Sequence, residues 1–361
     1  YSIISQMQNG VKAIDTLQKS FIQKSLNKNS RSYNIFIIAL LIILLVFGIL
    51  MSIGIGSSKI PLSEVVSVLL GKSSASKEYQ IINYVRIPRT FAAVLVGCAL
   101  SLAGLILQSV LNNSIAGPSI IGVNSGAGLF TTLIMALLPA YFELIPLAAF
   151  LGALTTSLLV YYIAKRTGAS RLTIVLSGVA VSSFMGAITD TVLTLWPDTA
   201  ISRTSFLIGG LSGVTMDRLM FPGILIFIAF VLAFIFSYDL NILTLGDETA
   251  KSLGLNVEKY RFGFLVLSSL LAGSAVSFAG LLGFIGLIVP HVARLLVAEN
   301  DNRILIPISA LLGSVFALFC DLLARTLFAP FEIPVGIIMS FLGGPFFIYL
   351  LINQKRRLLD D

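Results

Sequence analysis

NIFIIALLIILLVFGILMSI, residues 34–53, is a run of twenty residues without a charged side chain. A helix needs about 20 mostly apolar residues to cross the ~30 Å hydrocarbon core of a bilayer, because each residue adds about 1.5 Å. The run therefore predicts a membrane-crossing helix. A polar segment with several lysines precedes it, so we do not expect it to belong to a cleavable signal peptide.

The composition of the whole chain indicates the same environment. Of its 361 residues 57% are hydrophobic and 11% are charged, whereas a soluble domain has about 25% charged residues. The mean hydropathy is +0.97. A single water-soluble core cannot bury so many apolar side chains, so the lipid-embedded class is favoured. The net charge of +7 lacks the interleaved aromatic residues of a nucleic-acid surface, and we expect no nucleic-acid partner.

The same length criterion finds ten apolar runs and predicts an all-α, polytopic membrane protein with about ten transmembrane helices. The runs lie near 34–53, 90–111, 119–138, 144–164, 172–192, 219–237, 262–280, 281–298, 304–323 and 333–352. The seventh and eighth form one apolar block, in which Gly280 and Gly283 mark the expected turn.

Ten spans place both termini on the same side of the membrane. With a cytoplasmic N-terminus, sixteen of the 24 Lys and Arg residues fall on the inner side and eight on the outer side, as the positive-inside rule requires. We therefore expect a cytoplasmic tail over 1–33, a ten-helix domain over 34–353 and a cytoplasmic tail over 354–361. The first tail has apolar residues at helical spacing, which fits an amphipathic helix on the inner membrane face or a loosely ordered segment.

Two connections are longer than simple turns. Outside, Ile60–Leu70 predicts a short helix opened by Pro61. Inside, the loop 238–261 predicts two short helices around a glycine turn, with Gly246 and Gly254 between or beside them. Such a loop is either a docking surface or a segment packed on its own subunit.

Catalytic and metal motifs are missing from the sequence. Gly71-Lys72-Ser73 is not a phosphate-binding loop, because Val66 stands where that motif needs glycine. The single histidine, His291, has no cysteine or carboxylate cluster around it in sequence, so we expect no metal site and a structural role at a helix break. The two cysteines lie in apolar runs and are interpreted as core residues. We find no nucleophile–base pair, so the chain is not expected to be an enzyme.

Two carboxylates fall near or inside the predicted spans. Asp321 lies four residues before Arg325, on the same helical face, which indicates a structural ion pair. Asp190 could face water, a channel or a buried partner. A proton-coupled carrier normally has more buried ionisable groups, so their scarcity favours energy supplied by another chain. A secondary carrier or a membrane-embedded enzyme are the rival interpretations.

Several strings resemble the FecCD-type permeases, the membrane subunits of ABC importers for iron-siderophores, haem and cobalamin. They are RIPR at 86–89, LAG at 102–104 with Gln108, NSIAGP at 113–118, GVNSGA at 122–127, GFIGLIVPH at 283–291, EIPVG at 332–336 and GGPFF at 343–347. The resemblance covers roughly residues 34–353. This chain departs from it at Ser114-Ile115, where the family commonly has Pro-Leu.

The resemblance implies a ten-helix subunit in a bacterial cytoplasmic membrane, carrying ferric siderophores or, as an alternative, haem or cobalamin. It would pair with a second permease, identical or paralogous, and with an extracytoplasmic binding protein. Two cytoplasmic ATPase subunits would bind ATP and Mg, so this chain would need no cofactor. The residues that resemble the ATPase-coupling helices of the family are Leu245, Gly246, Asp247, Glu248, Ala250, Leu253 and Gly254.

The resemblance also implies roles at the outer side. Arginines at the outer rim of these permeases meet acidic residues of the binding protein, and the matching positions are Arg86, Arg89 and Arg325. We further expect the fifth and tenth spans to line a pathway. Its gate would include Asp190 on the fifth span and an outer segment around three glycines. These are Gly209, Gly210 and Gly213.

Overall fold

The structure is a computed structural model that describes residues 32–56, 60–69, 77–167, 170–297 and 300–357. The predicted all-α class is confirmed for these residues, which form helices and turns and no strand. The predicted amphipathic helix of the first tail, the Gly71-Lys72-Ser73 stretch and the last four residues of the second tail lie outside the described residues.

The α-helices are numbered along the described chain. They are α1 Ser32–Gly54, α2 Leu62–Leu69, α3 Lys77–Ile81, α4 Ile87–Leu111, α5 Val123–Leu137, α6 Ile145–Arg166, α7 Arg171–Leu195, α8 Thr199–Ile208, α9 Met216–Ile235, α10 Ser237–Thr244, α11 Asp247–Ser252, α12 Val257–Ala279, α13 Ile285–Leu296, α14 Asn302–Thr326 and α15 Val335–Arg357. A π-helical turn, Ile82–Arg86, joins α3 to α4. The 3-10 turns Pro118–Ile121 and Phe142–Leu144 precede α5 and α6.

Each of the ten predicted runs coincides with one of these helices. In the described part of the chain, seven helices are long and apolar enough to cross a membrane. The third, eighth and tenth runs coincide with the shorter apolar helices Val123–Leu137, Ile285–Leu296 and Val335–Ile348. The helix of the third run is short because the first residues of that run form a 3-10 turn and Gly122 adopts φ +80°, so the α-helix begins after them. The chain is therefore a multi-pass helical protein, and the count of ten crossings stays a prediction.

Helix α4 is the centre of the bundle, and α14 runs antiparallel to it. Arg89 contacts Asp321, Ser101 donates to the carbonyl of Ser309, and Ser109 contacts Asn302. We call the end with Arg89 and Asp321 the rim end and the end with Asn302 and α10–α11 the loop end. Twenty residues of α4 separate them, which corresponds to about 30 Å of helix.

Glycine allows α4 to approach its neighbours closely. A Cβ atom built on Gly97 would lie 2.1 Å from the carbonyl oxygen of Gly313 on α14, and one on Gly104 would lie 1.9 Å from that of Gly286 on α13. No other residue fits such backbone contact, and close approach of this kind stabilises helix pairs in lipid through dispersion. These contacts fall within one chain.

Predictions about individual turns and helix boundaries were confirmed in some places and wrong in others. The turn between the seventh and eighth runs is confirmed, since α12 ends at Ala279 and Gly280 adopts φ +69°. The predicted outer helix opened by Pro61 is confirmed as α2. The second run, predicted near 90–111, coincides with α4 from Ile87, but helical turns extend back to Lys77, and Arg86 and Arg89 are paired inside the protein. The predicted helix break at His291 is wrong, since α13 continues through Pro290.

The Asn113-Ser114-Ile115-Ala116 turn forms without the proline of related sequences. The Asn113 side chain accepts a hydrogen bond from the Ile115 backbone N–H at 3.0 Å, and the Ala116 N–H donates to the Asn113 carbonyl. Asn112 ends α4 in the left-handed conformation, at φ +47°, which asparagine tolerates better than most residues. An Asx turn thus replaces the rigidity that proline would supply.

Candidate functional site

The loop end has the two short helices predicted around a glycine turn. α10 and α11 flank Gly246, whose φ of +103° favours glycine, and Gly254 follows α11 at φ +84°. Neither glycine has a neighbouring atom within 4 Å of a built Cβ. They are therefore required by backbone conformation and not by close packing.

A carboxylate fixes α11 to the bundle. Asp247 Oδ1 accepts a hydrogen bond from Arg261 Nη2 of α12 at 2.6 Å and lies 3.4 Å from Arg171 Nη2 of α7. Arg171 also donates to the Leu243 carbonyl, so it joins both short helices to α7. We call Asp247, Arg171 and Arg261 the loop clamp. Sequence reasoning identified Asp247 and missed both arginines, because partners on other helices leave no local periodic signal.

The clamp is arranged to keep Asp247 ionised. Burial alone would raise the pKa of this carboxyl, but the hydrogen bond and charge of Arg261, with the charges of Arg171 and Lys251, outweigh burial and lower the pKa below its ordinary value. The Arg261 side chain is only 3% exposed and the Asp247 side chain 39%. The ion pair is thus partly shielded from water and from screening.

The clamp leaves two leucines at the surface. Leu245 and Leu253 are each 60% exposed, whereas Ala250 is fully buried against the bundle. Glu248 is exposed beside them. Large apolar side chains on a rigid loop outside the apolar spans are typical of a surface that another protein covers. We call Leu245, Glu248 and Leu253 the coupling surface.

At the rim end, buried charges join three parts of the chain. Arg89 Nε donates to both carboxylate oxygens of Asp321, at 3.0 and 3.2 Å, and Arg89 Nη1 donates to Glu332 Oε2 at 2.5 Å. Arg325 Nε lies 3.1 Å from Asp321 Oδ2, which confirms the predicted pair four residues apart. We call these four residues the rim cluster. It connects α4, α14 and the segment before α15.

Two further polar groups tie α1 to the rim cluster. Arg325 Nη2 donates to Ser52 Oγ at 2.7 Å, and Ser52 in turn bonds Thr90. Arg86 Nη1 donates to the carbonyls of Ile53 and Gly54, each at 2.8 Å. Those carbonyls lie at the C-terminus of α1, where a cation also interacts favourably with the helix dipole.

The three arginines predicted to dock the binding protein are therefore buried. Arg86, Arg89 and Arg325 are 3%, 5% and 2% exposed, and each has partners within the chain. Their docking role stays a prediction. The contacts described here give them a structural role that needs no second protein. Glu332, at 30% side-chain exposure, is the most accessible member of the rim cluster.

The predicted gate glycines fall into two groups. The Gly210 N–H donates to the Ala279 carbonyl, the Leu281 N–H donates to the Phe206 carbonyl, and the Gly336 N–H donates to the Gly209 carbonyl. Gly209 and Gly210 thus join the end of α8 to the α12–α13 turn and the start of α15. Gly213 lies apart, exposed and at φ +72°.

Helix α7 has one continuous exposed stripe. Its members follow the three-and-four spacing of a single helix face. They are Leu172, Leu176, Val179, Ser183, Ala187, Asp190 and Thr194. The stripe is apolar towards the loop end and small or polar towards the rim end, where Phe184 and Leu195 are exposed beside it. Asp190 thus lies on a face suited to water or to another subunit. Its gating role stays a prediction.

The remaining polar candidates have structural surroundings. Cys98 and Cys320 are free thiols, and the His291 ring makes an edge contact with Phe346, with 6.1 Å between ring centroids. No cluster of three metal-ligating side chains occurs among the described residues. The coupling surface and the rim cluster are therefore the two main candidate functional sites among the described residues.

Comparisons with known proteins find similarity along most of the chain. A family model described as the FecCD transport family matches residues 43–353. The Fe(3+)-citrate import system permease protein YfmD of Bacillus subtilis is 36% identical, over 90% of this chain and 96% of that protein. The hemin transport system permease protein HmuU of Yersinia pestis is 35% identical, over 91% and 99%.

A solved structure has the same architecture. It is an inward-facing conformation of a metal-chelate type ABC transporter, with a TM-score of 0.76 and 28% sequence identity. The match covers 88% of this chain and 99% of that one. Helix arrangement and sequence thus point to the same group of proteins.

Proposed function

This chain belongs to the FecCD transport family, and we propose that it is the permease half of an ATP-driven importer for ferric siderophores or similar ferric chelates. It is a multi-pass membrane permease of the ABC importer class, and its relatives include permeases for Fe(3+)-citrate, Fe(3+)-hydroxamate and hemin. The iron chelates named among these relatives support the substrate class. Haem is the second candidate, supported by the similarity to HmuU.

The coupling surface carries this proposal. An ATP-driven permease whose own sequence has no phosphate-binding loop receives force from another protein, and a loop held in place transmits force better than a mobile one. The loop clamp holds α11 against α7 and α12 while Leu245 and Leu253 stay exposed. We assign the coupling surface to an ATPase subunit that binds ATP and Mg. The loop end is then cytoplasmic, in the cytoplasmic membrane of a bacterium.

A second permease subunit would complete the pathway. The exposed stripe of α7 has its polar half, around Asp190, towards the rim end, and α15 begins beside Gly209. Two permease subunits that face each other across these helices would enclose a route whose walls include the small and polar side chains around Asp190. Such a lining suits a passing chelate better than a tight site, because selectivity resides in the binding protein.

The proposed cycle is alternating access. ATP binding closes the ATPase dimer and displaces α10 and α11, and α12 and α7 follow through the loop clamp. The backbone bonds from Gly209 and Gly210 link α12 to α8 and α15 at the rim end. Movement at the loop end therefore reaches the predicted gate along α12, beneath a binding protein docked at the rim.

Reconstitution tests the proposal directly. Proteoliposomes that contain the chain, its ATPase and its binding protein should accumulate radiolabelled ferric chelate only with ATP, while liposomes with the chain alone should move no chelate uphill. Comparing ferric citrate, a ferric hydroxamate and hemin identifies the cargo. Uphill transport by the chain alone would mean a secondary carrier and would overturn the assignment.

A further inference from the structure

A cavity of about 360 Å³ lies between the end of α9 and the first turns of α12. Its walls are apolar and aromatic, from Leu232 and Phe236 on one side and Phe264 and Leu267 on the other. Phe236 and Tyr260 also meet edge to face, with 6.3 Å between ring centroids. The cavity therefore has the size and lining of a site for an apolar group.

The cavity is continuous with an apolar outer surface. Ile228 and Ile235, on the same face of α9 as Leu232, are 48% and 62% exposed, and Phe236 itself is 40% exposed. Gly263 leaves the cavity open, because no atom lies within 4 Å of a Cβ built on it. In a membrane-embedded protein, such a surface on long apolar helices faces lipid acyl chains.

Unpaired polar groups mark one side of the cavity. Lys259 is exposed and forms no ion pair with any described residue, and the Tyr260 hydroxyl has no hydrogen-bond partner in the described part of the chain. Lys259 lies in the first turn of α12, where the helix dipole disfavours a cation. The neighbouring Glu258 is directed about 100° around the helix. An anion at this position would offset the unfavourable placement of Lys259.

We propose that this cavity binds an anionic phospholipid of the leaflet at the loop end. One acyl chain fills the space beside Phe236, Gly263 and Phe264, and the headgroup phosphate accepts hydrogen bonds from the Lys259 ammonium and the Tyr260 hydroxyl. An apolar pocket capped by one cation and one hydroxyl donor matches a lipid better than a water-soluble anion. The site rests on membrane embedding alone and requires no ATPase or chelate.

The proposed lipid lies next to the loop that we assign to ATPase coupling. Phe236 immediately precedes α10, and Lys259 lies in the first turn after the loop. The bound lipid would therefore contact both ends of the segment that includes Asp247 of the loop clamp.

Quenching of a tryptophan by brominated acyl chains tests the site in the full chain. Trp196 is the only tryptophan, so the double variant Trp196→Phe/Phe236→Trp places a single reporter in the cavity wall. In mixed bilayers, the quenching should show that brominated phosphatidylglycerol binds the cavity about fivefold more strongly than brominated phosphatidylcholine. This ratio is the effect expected of one cation near the headgroup.

Three further variants decide the outcome in the reporter background. Lys259→Gln should bring the preference close to one, and Gly263→Leu should lower quenching by both lipids because it fills the cavity. Lys165→Gln, at an exposed cation elsewhere at the loop end, should leave the preference unchanged. A parent preference of one, or equal losses in Lys259→Gln and Lys165→Gln, would overturn the site. Nucleotide and chelate are absent, so this result is independent of the transport assay.

Discussion

Arg89 Nε lies 3.0 Å from Asp321 Oδ1, with 6% and 0% of the two side chains exposed. The two residues are 232 positions apart and join α4 to α14 at the rim end. Asp321 also faces Arg325, so one carboxylate serves two guanidiniums. An ion pair that has lost its hydration is stable only while all of its members are present.

Asp321→Asn should destabilise the chain strongly. The substitution keeps the size of the side chain but leaves Arg89 and Arg325 buried without their shared counter-ion. Removal of one partner from a buried pair costs about 3–5 kcal/mol. The apparent unfolding midpoint of the purified chain in detergent should fall accordingly, while expression at low temperature preserves enough protein to measure.

A matched pair of variants separates charge from packing at the rim cluster. Glu332→Gln removes a carboxylate that is 30% exposed, so its loss should be clearly smaller than that of Asp321→Asn. Adding Arg325→Met to Asp321→Asn removes one surplus cation and should recover part of the midpoint. An Asp321→Asn protein as stable as the parent would contradict the buried ion pair.

Much of the fold could be predicted from local sequence. Apolar runs mark the helices because lipid-facing side chains must be apolar along a length set by the bilayer. Glycine signalled the α12–α13 turn and the Gly246 turn because positive φ angles favour it. The four-residue spacing of Asp321 and Arg325 indicated their pair.

Contacts between distant segments could not be predicted in this way. The sequence predicts Arg89 outside the membrane because hydropathy treats each charge as solvated, whereas Asp321 and Glu332 neutralise it inside the protein. For the same reason the predicted second span left out the helical turns that extend back to Lys77. Arg171 and Arg261 were missed as partners of Asp247, since their pairing depends on how α7 and α12 pack.

Asp247→Asn should uncouple the loop while the bundle stays folded. The clamp ion pair is partly exposed, so its loss should cost no more than about 1 kcal/mol of global stability. ATP-driven uptake should nevertheless fall severalfold, because α11 is no longer fixed to α7 and α12. Uptake by reconstituted transporter and the unfolding midpoint of the same preparation measure the two effects separately.

The acidity of Asp247 sets a second expectation for the clamp. Its pKa is lowered in the folded protein, so the clamp contributes stability above the ordinary pKa of the free carboxyl and loses it only as pH falls through the lowered value. Titration of Asp247 should therefore cause no change in ATP-driven uptake between pH 5 and pH 8, which uptake by reconstituted transporter across that range would measure. Glu258→Gln, at an exposed carboxylate outside both the loop clamp and the coupling surface, serves as the charge control, and equal losses in Asp247→Asn and Glu258→Gln would contradict the clamp.

Leu253→Asp should weaken capture of the ATPase subunit by about tenfold or more. Leu253 is 60% exposed, so the change costs the fold little, whereas an apolar anchor lost from an interface costs about 1–2 kcal/mol or more. Co-purification and surface binding of the ATPase measure the effect. Lys165→Glu changes charge at the same end without touching the coupling surface, and a comparable loss there would indicate a purely electrostatic contact.

The close glycine contacts predict opposite results for two chemically identical substitutions. Gly97→Ala places a methyl group 2.1 Å from the Gly313 carbonyl oxygen, so α4 and α14 must separate, at a cost of about 1–3 kcal/mol for overpacking. Gly128→Ala, in the middle of α5, meets no atom within 4 Å and gains up to about 1 kcal/mol from helix propensity. Unfolding midpoints in detergent should therefore fall for Gly97→Ala and hold or rise for Gly128→Ala. Equal shifts would mean that glycine acts here through propensity alone and not through contact between helix backbones.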